Sequence, residues 1–171
     1  TRRLCYGDRQ QELETHHYIT RWRLEPTDEA AYMRGELTTP KKPIVFYIDP
    51  TTPAQLRPHI RKGILDWNSA FEQAGFKNAV QVKEYTDSMA AEGDDLKYSV
   101  FTYAASTTAN AMGPSVVDPR TGEIIEADII WWHNVVSLLR EWIMVHTGAV
   151  NPAARSIELP DSLIGDAARF V

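Results

Sequence analysis

Histidines and carboxylates are the side chains of this sequence that could hold a metal ion or move a proton, so their spacing comes first. A metal site needs two or three such groups converging on one point. Of the five histidines, His16 and His17 are adjacent and would face opposite ways in a strand. His59 precedes Ile60 on an amphipathic segment and reads as solvent-facing. His133 falls at a strand-to-helix turn, and His146 on an otherwise apolar helix. A structural role is the reading for each. Among the carboxylates, Asp49 reads as a turn residue before Pro50 and Asp66 as part of a solvated helix face. Glu126 and Asp128, at i and i+2 of an alternating strand, would suit a cation or an acid/base pair, but surface exposure is the plainer expectation. The acidic stretch 87–95 lacks the glycine-centred spacing of a calcium loop and reads as a surface loop. The sequence contains no H-E-x-x-H, no paired cysteines, no G-x-S-x-G and no phosphate-cradling glycine loop. No catalytic residue and no metal ligand is assigned on these grounds.

The elements that would position any site are more legible. Tyr18 to Leu24 alternates and is rich in β-formers, predicting a strand; Asp28 to Leu37, led by Thr27 as a cap, predicts a short helix. Pro43-Ile44-Val45-Phe46-Tyr47-Ile48 is nearly all apolar, as a strand covered on both faces should be. Thr52-Pro53-Ala54-Gln55 has the pattern of a capping box, and Leu56, Ile60, Ile64, Trp67, Phe71 and Ala74 then recur at helical spacing until Gly75. Pro58 conflicts with a helix that begins at Pro53, so regular helix is expected from nearer Arg57. Asn78 to Tyr85 predicts a second strand and closes a βαβ unit; Tyr98 to Tyr103 predicts a third.

Ala109 to Val117 and Glu123 to Trp131 flank Asp118-Pro119-Arg120-Thr121-Gly122, whose proline and glycine suit a tight turn, so a β-hairpin is expected. Its first arm has small residues, a glycine and a proline, which belong at a sheet edge; its second arm is bulky and apolar, which suits the interior. Ala109, Asn110, Ala111, Met112, Gly113 and Pro114 are thereby placed on the rim. Asn134 is a candidate cap for an apolar helix from Val135 to Val150, beside which Trp131, Trp132 and Trp142 read as packing residues. Pro160-Asp161-Ser162 opens a further amphipathic pattern from Leu163 to Val171.

With 171 residues and 43% hydrophobic content, the chain reads as one globular domain. Its formal net charge of −5 argues against nucleic acid or an anionic membrane surface as partner. No apolar run approaches the roughly 20 residues that cross a bilayer, and residues 1–5 lack the apolar core of a signal peptide. The chain is therefore expected to begin mid-protein or after processing. The last helical pattern has no stop signal at Val171, which predicts truncation in mid-helix and self-association through the surface so exposed. The lone Cys5 leaves the redox compartment open.

Several blocks together resemble a known family. They are Lys41 to Pro50, Ile64-Leu65-Asp66-Trp67-Asn68-Ser69-Ala70-Phe71-Glu72-Gln73-Ala74-Gly75-Phe76, Gly113 to Ile124, and Asp128-Ile129-Ile130-Trp131, with Trp22 to Pro26 ahead of them. They resemble the metzincin-like catalytic domain of bacterial zinc-dependent metalloproteases. The resemblance implies an α/β (α+β) fold with a twisted mixed sheet of about five strands, an antiparallel edge strand and long helices packed on it. It divides the chain into a lead-in, 1–40, and a zincin-like upper subdomain, 41–171, that ends within the would-be active-site helix. It also implies that Ala109 to Pro114 bind a peptide substrate by main-chain hydrogen bonds. In the family, an H-E-x-x-H-x-x-G-x-x-H helix holds zinc and activates water. None of that motif is present, so the chain alone is expected to be inactive and to hold no cofactor, with zinc in the full-length protein. The resemblance further suggests an exported, envelope-associated bacterial hydrolase. The alternative is a stand-alone module that captures a peptide or a partner strand along the same edge.

Overall fold

The computed structural model describes residues 2–3, 15–16, 18–86, 88–89, 96–148 and 150. Cys5, His17, most of the acidic stretch 87–95 and the pattern from Pro160 to Val171 lie outside the described residues. At the amino-terminal end, β1 (Arg2–Arg3) and β2 (Thr15–His16) form an antiparallel pair. The expected strand from Tyr18 to Leu24 is reduced to one parallel bridge, Arg21 to Glu123. Its backbone lies against the hairpin through Arg21 N–H to Gly122 O and Ile124 N–H to Arg21 O, both 2.9 Å. Trp22 and Leu24 turn onto the core.

Helix α1 spans Glu29–Met33, shorter than expected, and its cap is Asp28, whose carboxylate accepts from Ala31 N–H at 2.9 Å. Thr27 instead bonds Thr39. A carboxylate at this position meets both the free amide and the positive end of the helix dipole.

The main sheet is mixed and has five strands. Its members are β3 (Ile44–Ile48), β4 (Val80–Glu84), β5 (Ser99–Ala104), β6 (Ala111–Met112) and β9 (Ile129–Trp132), in the order β4-β3-β5-β9-β6. All pairings are parallel except β6 with β9. β3 is an interior strand, with a parallel strand on each side; Ile44 and Ile48 are buried, and Val45, Phe46 and Tyr47 are half-buried. The register sets Ile48 beside Phe101 and Phe101 beside Ile129, so one sheet face gathers Ile44, Ile48, Phe101, Ile129 and Trp131 into a buried core.

That face is covered by α2 (Arg57–Leu65), through Leu56, Ile60 and Ile64, with Phe71 of α3 (Asn68–Gln73) packed against it. The predicted capping box is not formed: Thr52 is buried within a turn and regular helix starts at Arg57, since Pro58 is tolerated only in a first turn. The single long helix expected from Leu56 to Ala74 is split in two. At the break Ser69 Oγ donates to Asp66 O at 2.8 Å and Asn68 Nδ2 to Leu65 O at 3.1 Å, side-chain bonds that compete with the helical ladder. The chain ends α3 at Gly75, whose φ of +90° is open to glycine at no steric cost. A Cβ there would also lie 2.6 Å from the ring of Tyr32.

The hairpin forms as expected. β7 (Ser115–Val117) pairs with β8 (Ile124–Ala127), and the turn closes with Gly122 N–H on Asp118 O at 2.8 Å. The Asp118 carboxyl lies below its ordinary pKa, chiefly because the Arg120 side chain donates to it, with help from the Arg120 backbone N–H. Beyond β9, α4 spans Val135–Thr147. Asn134 stands at its start but does not cap it; its amide donates to Thr107 O. Only the first turns of α4 reach the core, through Val135, Val136 and Leu139. Trp142, expected to pack, is 56% exposed, as is Met144, and Val145 is 75% exposed. No helix of the described residues is long and apolar enough to cross a membrane.

Candidate functional site

The edge strand is built by one long hairpin. Ala111 sits opposite Trp131, Met112 opposite Ile130, Ser115 opposite Ala127 and Val116 opposite Glu126, a single register carried through both short ladders. Between them stand Gly113 and Pro114. Pro114 has no N–H to give, which interrupts the ladder, yet its carbonyl still accepts from Asp128 N–H at 3.0 Å. At the other end Trp132 N–H reaches Asn110 O at 3.3 Å.

In an antiparallel ladder alternate residues turn both backbone groups toward the partner strand, and those between turn them away. Asn110, Met112 and Pro114 therefore face β9, and Ala111, Gly113 and Ser115 direct N–H and carbonyl groups to the outer side. No strand of the described residues pairs there, since β6 is last in its sheet. Ala111 N–H is taken by the Asn110 side-chain oxygen at 2.9 Å, which leaves the Gly113 groups as the centre of the rim. Residues 112–116 are all exposed. Of the residues expected on the rim, Ala109 is not in a strand, and Asn110, Met112 and Pro114 use their backbone inward. Ser115, left out of the sequence reading, joins the outward set through the alternation.

Next to this rim lies an apolar cavity of about 290 Å³. Trp22, Phe46, Trp67 and Phe71 are among its wall residues, and Gly113 and Ala127 border it on the hairpin side. Ser99 is opposite Phe46, and its hydroxyl accepts from Ala127 N–H at 3.1 Å. The sequence carried no sign of the cavity, because its wall is assembled from separate elements.

Two carboxylates expected to be exposed are not. Glu126 is 7% exposed. Asp128 is half-buried and its Oδ1 accepts from Val100 N–H at 2.7 Å, a charge-assisted bond that ties the hairpin to β5. The register runs unbroken from β8 into β9, so the two carboxylates do share one side of the strand as alternation expects, but that side is not open to solvent. Asp49 behaves as expected, its Oδ1 accepting from Thr51 N–H at 2.7 Å.

The described histidines are scattered. His59 is half-buried on α2, His146 is on α4, and His133 follows β9, where Nδ1 is hydrogen-bonded to the Tyr103 hydroxyl. The rings of this pair meet edge to face at 5.9 Å, and burial raises the Tyr103 pKa. Among the described residues no three of His, Cys, Asp and Glu come together, so these residues alone do not fit a zinc ion. Comparison with protein-family models, with curated protein sequences and with solved structures gives no match to this chain.

Proposed function

We propose that this chain holds an extended peptide along the outer side of Ala111, Gly113 and Ser115, as an added strand of the mixed sheet. The observation that carries the reading is the terminal antiparallel strand, whose outward backbone groups are flanked by small, exposed residues. A peptide laid there gains main-chain hydrogen bonds irrespective of its sequence, and pockets beside the edge then choose among side chains. The resemblance to metzincin-like zinc-dependent metalloproteases gives the peptide a fate: in the whole protein it is the substrate of zinc-dependent peptide-bond hydrolysis, and this chain is the rim that aligns it. A mixed sheet with one antiparallel edge supports that assignment. Zinc and its ligands then come from outside the described residues, in a protein exported to a bacterial envelope.

The second reading, a module that captures a peptide or a partner's strand without cutting it, rests on the same edge. Chelator separates the two in the full-length protein, because capture survives metal removal and cleavage does not.

Peptide pairing is tested by backbone N-methylation, which deletes one donor and adds bulk on that side only. In a capped decapeptide of alternating alanine and serine, methyl groups on every second residue should weaken binding in one phase and not in the other. The expected loss is about 2- to 12-fold for each bond removed. Equal effects of both phases, or of neither, contradict strand pairing.

A further inference from the structure

The cavity beside Gly113 shares a border with the proposed peptide edge, and its shape and lining specify what it would take. We infer that it is the specificity pocket of that edge and accepts one large apolar side chain, an aromatic one above all, from the bound peptide; this rests on the peptide-edge reading above.

Three observations converge. Gly113 belongs both to the outward-facing backbone of the rim and to the cavity wall, so a peptide strand hydrogen-bonded there has the opening beside it. Along an extended peptide alternate side chains point to the same sheet face. One face of this sheet carries α2 and the core, and Ala111 lies on that side with its neighbour Trp131. A peptide side chain directed to that face at the level of Gly113 meets the cavity; its neighbours in the peptide point the other way. Glycine opens this border because it contributes no side chain.

The size is decisive for class. A cavity of about 150 Å³ lined by apolar side chains holds a benzene molecule, and the space here, about 290 Å³, is roughly twice that. Alanine or serine would leave most of it empty. A phenylalanine or tryptophan ring would fill it. The rings of Trp22, Phe46, Trp67 and Phe71 offer faces and edges for offset or edge-to-face contact. Trp67, 49% exposed, is one of these rings and is still open to solvent. Asp128 also borders the space, and its Oδ1 is held by Val100 N–H. An anionic side chain would lose its hydration against these rings, beside another acid and with no basic residue in the lining, and is excluded.

The test uses the whole chain and two capped decapeptides of alternating alanine and serine, identical except that one carries a central phenylalanine in place of alanine. Binding is followed by amide shifts and by tryptophan fluorescence. The phenylalanine peptide should bind at least about tenfold more tightly, as expected for burying that ring. Ala127→Leu, which fills the cavity from the sheet side, should remove this advantage and leave the alanine peptide's affinity unchanged. Trp67→Ala serves as a second variant should Ala127→Leu not fold: it removes one half-exposed ring of the wall away from the edge, and should lower the phenylalanine advantage while leaving the alanine peptide's affinity unchanged. If both peptides bind equally in the parent chain, with one phase of N-methylation still weakening them, the pocket inference is overturned and the edge reading stands. If neither phase weakens binding, or neither peptide binds, the edge reading itself fails and takes the pocket with it.

Discussion

Replacing Asn68 with alanine should lower the stability of the chain by about 3 kcal/mol, the largest effect expected from a single polar side chain here. Its carboxamide oxygen accepts from Val80 N–H at 2.9 Å, and its Nδ2 donates to Val80 O at 2.9 Å and to Leu65 O at 3.1 Å. One side chain therefore satisfies both backbone groups of a residue that is only 4% exposed, at the start of β4. Alanine leaves both groups of Val80 without a partner away from water, and each orphan costs about 1–3 kcal/mol. The same change frees the junction between α2 and α3, which carries Trp67 and Phe71. Urea denaturation should show a lower midpoint with an unchanged slope, and heating a midpoint lower by about 6–12 °C for a chain of this size. Stability within about 0.5 kcal/mol of the parent would mean that the loop after Gly75 does not depend on α3 as described.

Gly113→Pro is expected to act on the other quantity, binding, and to leave stability nearly alone. The N–H it removes points outward and takes no part in the ladder with β9, so loss of that donor should cost the fold less than about 1 kcal/mol. Met112 before it is already in a strand, the conformation that a following proline favours. On the outer side the substitution deletes the central donor of the rim and sets a ring where the peptide backbone would lie. Affinity for the phenylalanine peptide should fall at least about thirtyfold, more than one hydrogen bond accounts for, because the ring also obstructs the neighbouring pairs. Retained affinity with an intact fold would move the peptide off this edge altogether.

The sequence was informative where local pattern and tertiary demand agree. The apolar run Pro43 to Ile48 announced a strand with neighbours on both sides, and the small residues and proline of Ala109 to Pro114 announced an edge; both follow from the chemistry of a single segment. Elements decided by competition were less legible. Leu56 to Ala74 has one continuous helical periodicity, but the hydrogen bonds of Asn68 and Ser69 to preceding carbonyls divide it, so the expected long helix became two short ones. Thr52 looked like a cap and is buried in a turn, because Pro58 delays the helix. Glu126 and Asp128 looked like one exposed face; they do share a face, but it is covered, Glu126 being buried and Asp128 bonded to the Val100 amide of a strand distant in sequence. The cavity is lined by Trp22, Phe46, Trp67, Phe71, Gly113 and Ala127, which come from separate elements, so no single stretch of sequence reveals it.

Amide hydrogen exchange at two adjacent residues tests the peptide edge most directly. Met112 faces Ile130 across the ladder, so its amide should be protected with or without peptide. The Gly113 amide faces outward and should exchange freely in the chain alone, then slow markedly when the phenylalanine peptide is saturating. Protection at Gly113 in the absence of peptide, or no gain on saturation, would contradict the claim that this edge receives an extended chain.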